Sequence, residues 1–550
     1  MYVDTSTVTT KYGTYTRHLL RESYREEGKI KKRLIANISD CKEEEIRAIK
    51  LALSYKQKLE TLTNVEESLR LKQGLSVGAV ILLNEISERI GITKALGSGR
   101  EGKLALWQIF SRIIEQGSRL SAVRLAQSHA VCDVLGLEGF NEDNLYANLK
   151  WLSENQEKIE KKLYINRYGE NKPKLYLYDV TSSYLEGECN EYGAFGYNRD
   201  GKRGKRQIVI GLICDEEGEP LSVEIFKGNM SDCKTVSVQL KKISERYGDA
   251  EIVFVGDRGM IRNVSEFKDG VNYITAITKA QIETLLKDDF IQMSLFDGEL
   301  AEVKDDNGIR YILRKNPIRK EEIAKSKQQK YESLQAKTEK SNRHMLEHPR
   351  SDDARILNKL NSCAKKLKIS GWIKFELNNR TITLSKNDED LAEDSKLDGC
   401  YVIKTNVSES IATAKTVHSR YKDLSQVEWA FRTSKTSFLE LRPIHVRKKE
   451  STNGHVFVVM LAYKLVRELS KLWNSVDITT QEAIQRLSAL TAIEVTVNGR
   501  ILFNKIPEAR NDVLELINLA GITFPDKINS KNVIVSTRKK LTKNRKRSSQ

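Results

Sequence analysis

The chain is poor in the residues that build zinc sites and disulfide frameworks. Its seven cysteines (Cys41, Cys132, Cys189, Cys214, Cys233, Cys363 and Cys400) are scattered singly and odd in number, with no Cys-x-x-Cys pair. That pattern excludes a disulfide scaffold and a thiolate zinc module, and it fits a reduced compartment. No apolar stretch is long enough to span a bilayer, and no apolar N-terminal signal core is present. The expectation is a cytoplasmic, nucleoid-associated protein with no membrane partner. Acids are in deficit as well: 92 Lys and Arg face 75 Asp and Glu, giving a net charge of +17 and a pI near 9.2. Such a balance favours a polyanionic partner through a salt-sensitive attraction, without naming a reaction. With 550 residues and 39% hydrophobic content, the chain is too long for one core and apolar enough to pack several.

Against this background three acids stand in patterns that otherwise read as buried structure. The run Lys174-Leu-Tyr-Leu-Tyr-Asp-Val-Thr181 is apolar on both alternating faces, as in a central strand, and Asp179 interrupts it. A carboxylate placed there is costly unless it is paired or binds metal. The run Glu251-Ile-Val-Phe-Val-Gly-Asp-Arg-Gly259 repeats the pattern with Asp257 at its end, where Gly256 and Gly259 permit a sharp turn. Between Tyr421 and Phe438 there is no Gly or Pro, and Leu424, Val427, Phe431 and Phe438 recur at helical spacing. On one continuous helix, Tyr421, Glu428 and Lys435 would stack along a line two turns at a time, with Arg432 a turn beyond Glu428. Two Asp and one Glu are hard oxygen ligands that suit Mg²⁺, and phosphodiester cleavage is served by two such ions roughly 3.5 to 4 Å apart.

At this point the residues resemble a family. Tyr178-Asp-Val-Thr-Ser-Ser183, Phe195-Gly-Tyr-Asn-Arg-Asp-Gly-Lys-Arg-Gly-Lys-Arg-Gln207, Lys227-Gly-Asn-Met-Ser-Asp232, Val255-Gly-Asp-Arg-Gly259 and Val427-Glu-Trp-Ala-Phe-Arg-Thr-Ser-Lys435 are similar to segments of bacterial insertion-sequence DDE transposases. Tyr421, Glu428 and Lys435 match that family's Tyr-x2-Arg-x3-Glu-x6-Lys signature, whereas Leu424 stands where the family has Arg, so one phosphate contact is missing there and Arg432 is its candidate replacement. The resemblance implies an α/β fold: an RNase H-like mixed sheet forming the catalytic core, interrupted by an insertion, with a mainly helical N-terminal region and a small C-terminal region. It implies metal-dependent cleavage at element ends and strand transfer. Asp179, Asp257 and Glu428 are then the ligands of two Mg²⁺ ions, with Mn²⁺ as a substitute. Tyr421, Arg432 and Lys435 are the DNA-positioning residues, joined by Arg199, Lys202 and Arg203 of a Gly-rich basic loop. The implied partners are double-stranded DNA, as terminal repeats and target, and a second copy of the chain in a homodimeric synaptic complex.

Local patterns give the order strand, strand, strand, helix, strand, helix, strand from residue 174 to Thr278, with a capped helix from Lys234 to Tyr247 and a short helix after Asp257. The expected boundaries are an N-terminal hairpin (Thr16 to Ser39) and charged helix (Glu43 to Leu71) within 1–75, and a helical, DNA-reading region over 76–165. The core follows over 166–280 and 405–475, split by an insertion over 281–404, and the chain ends in a helical region with a basic tail over 476–550. Residues from about Lys279 to Leu397 read as foreign to the sheet; Arg314 to Lys368, rich in Lys, Glu, Gln and Ser, predicts exposed helices. Lys531 to Gln550 holds no acid and reads as a disordered tail gripping phosphate. Rival readings are a catalytically silent, transposase-derived DNA-binding protein and an RNase H-like nuclease without strand joining. A P-loop hydrolase, prompted by Gly97-Ser-Gly-Arg-Glu-Gly-Lys103, is disfavoured because Leu104 occupies the Ser/Thr position and the preceding residues read as helix.

Overall fold

The computed structural model describes residues 1–56, 69–173, 175–247, 252–258, 260, 271–436, 438–497, 500–531 and 533–538. The chain divides into two compact units, one of residues 1–75, 491–508 and 525–530, the other of 76–490, 509–524 and 531–550.

The first unit opens with an antiparallel meander of β1 (Tyr2–Thr10), β2 (Gly13–Glu26) and β3 (Lys29–Asn37). Glu27 and Gly28 turn β2 into β3 with φ of 52° and 78°, the left-handed pair a two-residue hairpin requires. The helix expected from Glu43 to Leu71 is shorter. It runs Glu43–Ser54, and Leu69–Ser76 is a strand, β4, while residues 57–68 lie outside the described residues. β4 joins a second, four-stranded sheet with the strands Thr491–Val497, Arg500–Lys505 and Lys527–Ile528 from late in the chain.

The second unit begins with helices, as the apolar stripes of Leu82, Leu83, Ile86 and of Trp107, Phe110, Ile113 predict. Gly78–Arg89, Arg100–Ile114 and Glu142–Tyr168 bury those stripes in one core. The glycines at 97–103 lie between two helices: Gly97 ends Ile92–Leu96 and Gly99 precedes Arg100–Ile114. No strand leads into that loop, so a phosphate-binding strand, loop and helix is ruled out.

An eight-stranded mixed sheet follows. Its strands are β5 (Leu175–Tyr184), β6 (Gln207–Cys214), β7 (Pro220–Lys227), β8 (Ile252–Gly256), β9 (Val271–Ala276), β10 (Ala301–Lys304), β11 (Arg310–Lys315) and, after a long excursion, β14 (Cys400–Thr405). The spatial order is β10-β11-β14-β9-β8-β5-β6-β7. β5, β8 and β9 run parallel to one another, and the other pairings are antiparallel. The helix Asp232–Tyr247 connects β7 to β8. The short helix expected between β8 and β9 lies outside the described residues.

One expectation changes here. The stretch after Lys279 is only partly foreign to the sheet, because β10 and β11 pair into it. Ile312 and Leu313 are wholly buried, and that burial, with backbone pairing to β14, draws an otherwise polar segment into the sheet. The excursion proper carries the helices Pro317–Glu347, Asp353–Leu367 and Asp388–Ser395 and a hairpin of β12 (Ile373–Asn378) and β13 (Thr381–Lys386), which share a small apolar core around Leu334, Trp372 and Ile382.

Beyond β14 come the helices Ala414–Lys422 and Leu424–Lys435, then Lys449–Leu472, an apolar rod packed against Glu142–Tyr168 and β7. A single helix from Tyr421 to Phe438 does not form: Asp423 joins two helices, so Tyr421 belongs to the first and Glu428 to the second. Helix Thr480–Ser488 precedes β15 (Thr491–Val497) and β16 (Arg500–Lys505), with helix Asn511–Leu519 and β17 (Lys527–Ile528) after them. Of the expected disordered tail, residues 531 and 533–538 are described: Val535 is buried and Arg538 pairs with Asp143 at 3.2 Å. Residues 539–550 lie outside the described residues. No helix among the described residues is long and apolar enough to cross a membrane.

Candidate active site

Strand register brings the first two acids together. In the parallel pairing of β5 with β8, Tyr178 stands opposite Gly256, so Asp179 and Asp257, the next residue on each strand path, are neighbours at the end of β8. The third acid arrives from above. Helix Leu424–Lys435 packs on β5 and β6 through Val427 and Phe431, which share an apolar core with Leu177, Ile208 and Ile210. Helix Ala414–Lys422 covers β8, β9 and β14. Asp179, Asp257, Glu428 and Tyr421 thereby line a single cavity of about 540 Å³.

Electrostatics single out Asp179. Its Oδ1 accepts the Val180 N–H at 2.7 Å, and that bond favours the carboxylate. Burial outweighs it, and with Asp257 and Glu428 adding repulsion and Arg199 only partly offsetting them, the carboxyl is pushed up to about 7. Asp257 is more exposed. Its Oδ1 accepts the Arg258 N–H at 2.6 Å and the Tyr421 hydroxyl at 3.4 Å, and burial beside that carboxylate holds the Tyr421 phenol well above its usual range. Asp179 is thus an acid that its two carboxylate neighbours and its burial make costly to ionise.

A divalent cation beside Asp179 would relieve that cost, and the donor set of hard carboxylate oxygens fits Mg²⁺-type ions. Among the described residues no three His, Cys, Asp or Glu side chains are already drawn tightly enough to hold an ion. His344 and His348, a helical turn apart with ring centroids at 4.3 Å, have no third ligand among the described residues.

The other expected residues are dispersed. Lys435 is turned inward, its Nζ 3.0 Å from Asp200 Oδ1, and Arg442 meets the same carboxylate. Arg199 makes a forked pair with Asp232 at 2.8 and 2.9 Å. The Lys202 ammonium lies 5.8 Å from the Tyr184 ring centroid, and Arg203 is exposed. Arg432 lines a separate hollow with Trp429 and Lys471 on the other side of Glu428. Leu424 is buried.

The cations that do line the acid cavity are others: Arg258, Lys279, Arg319 and Lys422. Arg258 follows Asp257 directly and was within reach of sequence reasoning. Arg319 comes from the excursion after β11, and no local pattern marks it.

A family model described as "Transposase DDE domain" matches residues 170–465. The chain belongs to the DDE transposases. A second model, described as "IS1634 family transposase, N-terminal domain", matches residues 4–66 of the transposase and ties it to insertion sequences. It is therefore a DNA transposase, a DNA-cleaving and strand-transferring enzyme of a family that works with divalent metal ions on DNA. Among solved structures the transposase is similar to piggyBac transposase in its synaptic complex with hairpin DNA, at 8% identity and a TM-score of 0.35 over 70% of this chain and 69% of that one. A likeness so distant carries no argument here. Comparison with curated proteins yields no match.

Proposed function

We propose that Asp179, Asp257 and Glu428 are the catalytic acids, holding two Mg²⁺ ions for cleavage at insertion-sequence ends and for joining to target DNA. The observation that carries this reading is the β5–β8 register, which sets Asp179 beside Asp257 on a cavity that Glu428 also lines. The central order β7-β6-β5-β8-β9 supports an RNase H-like core, with the excursion between β11 and β14 as its insertion.

Bound ions would supply charge stabilisation to an in-line displacement and lower the barrier to forming the attacking oxygen. The protein's own groups do the rest. The Val180 and Arg258 N–H groups fix one oxygen of each Asp and so aim the other. The Tyr421 hydroxyl steadies Asp257. Arg258, Arg319 and Lys422 face the cavity and are placed to meet phosphate oxygens, so they take the part first assigned to Lys435. Asp200, Lys435 and Arg442 lock the basic loop of residues 195–206 to the Glu428 helix. Arg432, Lys202 and Arg203 remain as outer DNA contacts. Synapsis of two DNA ends calls for a homodimer.

Incubation with DNA carrying the flanking terminal repeats and Mg²⁺ tests the scheme. Asp179→Ala is expected to keep binding and lose nicking, while undiminished nicking would sink the assignment. Joining of the released 3′-OH to a second duplex separates transposition from simple hydrolysis, and retardation without nicking by the wild type would mark a silent binder.

A further inference from the structure

The three-stranded sheet of the first unit has two edges, and they are finished differently. β3 forms one of them. It carries Lys29, Lys31, Lys32 and Arg33, and a bulge interrupts its register with β2 after Leu20. Cations and a bulge on an outer strand are the devices that keep another strand from adding to it. β1 forms the other edge and has neither. Its nine residues pair with β2 in unbroken register, from Tyr2 opposite Arg21 to Thr10 opposite Gly13, and include no Lys, Arg, Pro or Gly. Among the described residues no strand lies on its outer side, and Thr5 to Thr10 are exposed. Threonine and valine suit extended backbone, so β1 presents an uninterrupted row of N–H and C=O groups shaped for a further strand.

The composition of β1 indicates what that further strand is. DNA finds little to hold, because the edge has no cation and its single charge, Asp4, is an acid paired with Arg21 at 2.9 Å. A second β1 finds a match. In the full-length antiparallel register the axis falls at Ser6, and across the two copies Val3 faces Thr9, Asp4 faces Val8 and Thr5 faces Thr7. Threonine pairs across strands are favourable, and no like charges meet. β3 set against itself in the same way would place Arg33 against Arg33. The two edges therefore differ in the one respect that decides self-association: β1 is complementary to itself and β3 is not.

We infer that β1 pairs antiparallel with the β1 of a second copy about a two-fold axis at Ser6, joining two three-stranded sheets into one of six strands. The pairing rests on the homodimer proposed above and supplies its interface, yet it needs neither DNA nor metal. A ladder of nine residues is smaller than the interface of a permanent dimer, so association depends on protein concentration. The full chain, without DNA or divalent ion, is followed by analytical ultracentrifugation over roughly 1 to 100 μM, where the wild type forms dimers. Thr5→Lys with Thr7→Lys, at two exposed positions, sets like charges opposite each other twice across the axis and weakens the dimer by about 10-fold or more. A wild type that stays monomeric throughout, or a double variant that associates as the wild type does, overturns the pairing. Where the double variant does not keep the wild-type melting temperature, Ser6→Cys decides instead. Mild oxidation then links two copies through residue 6, mapped by mass spectrometry against the background from the seven native cysteines, and absence of that link overturns the pairing. Nicking by Asp179→Asn is measured alongside. If that variant still nicks while the edge variants behave as stated, the acid-site reading fails and the interface stands; the converse result removes the interface alone.

Discussion

Asp200 offers the sharpest test of how the site is held. Its carboxylate, only 2% exposed, pairs with Lys435 at 3.0 Å, meets Arg442, and accepts the Tyr184 N–H at 3.1 Å. Lys435 is itself only 9% exposed, and burial already pulls its ammonium below the usual lysine range, with Asp200 resisting that pull. Asp200→Ala would leave the ammonium desolvated and unpaired and the Tyr184 amide without its acceptor. Breaking a buried pair by removing one partner costs about 3–5 kcal/mol. Arg442, a third exposed, can turn to water and should add little. Removing the orphaned charge as well, in Asp200→Ala with Lys435→Met, is expected to recover part of the loss. The pH dependence has a definite sign. A lysine whose folded value lies below its unfolded one penalises the fold while it is charged, so the deficit of Asp200→Ala is large at neutral pH, where the wild-type pair is intact, and shrinks as pH rises toward lysine deprotonation. Denaturant unfolding gives the free energies, and hydrogen exchange at the Tyr184 amide, expected to quicken, reports the local loosening. A cost below about 1 kcal/mol, or a double variant no more stable than the single one, would refute the reasoning.

Two further outcomes follow from the same geometry. Asp179, lifted from 3.8 to about 7, penalises the fold where it is ionised, so the penalty is absent below about pH 3.8 and complete above pH 7. Asp179→Asn should therefore raise the melting temperature at pH 8 and not at pH 3.5, and divalent ion should stabilise the wild type at pH 8 more than the variant; a pH-independent gain would contradict the assigned cause. Gly454, on helix Lys449–Leu472, sits so near Glu142–Tyr168 that a Cβ would lie 2.1 Å from the Leu149 carbonyl oxygen. Gly454→Ala should force the helices apart and cost about 1–3 kcal/mol, and an unchanged melting temperature would show that the contact can yield.

Much of the candidate site was legible locally. Asp179 is visible as one charge in a strand apolar on both faces, Asp257 as an acid at a glycine-flanked strand end, and Glu428 at the edge of a helical apolar stripe. Other features were not. Lys435 reads as a cation on a helix face free to meet phosphate, and only the packed chain reveals Asp200, far back in the sequence, as its partner. The break at Asp423 has no Gly or Pro to announce it. β10 and β11 carry too little periodicity to be told from the charged helices that follow them.

Which residues can be strand, helix or turn, and which acids sit where water is scarce, is set by side-chain alternation over a few neighbouring positions, and the sequence by itself determined that much. That Asp179 adjoins Asp257, that Arg258 and Arg319 rather than Lys435 face the acid cavity, and that β1 is left at the edge of its sheet were decided only by the tertiary structure. Strand register and long-range ion pairing depend on how segments far apart in the chain exclude water from one another, and no short window of residues contains that information.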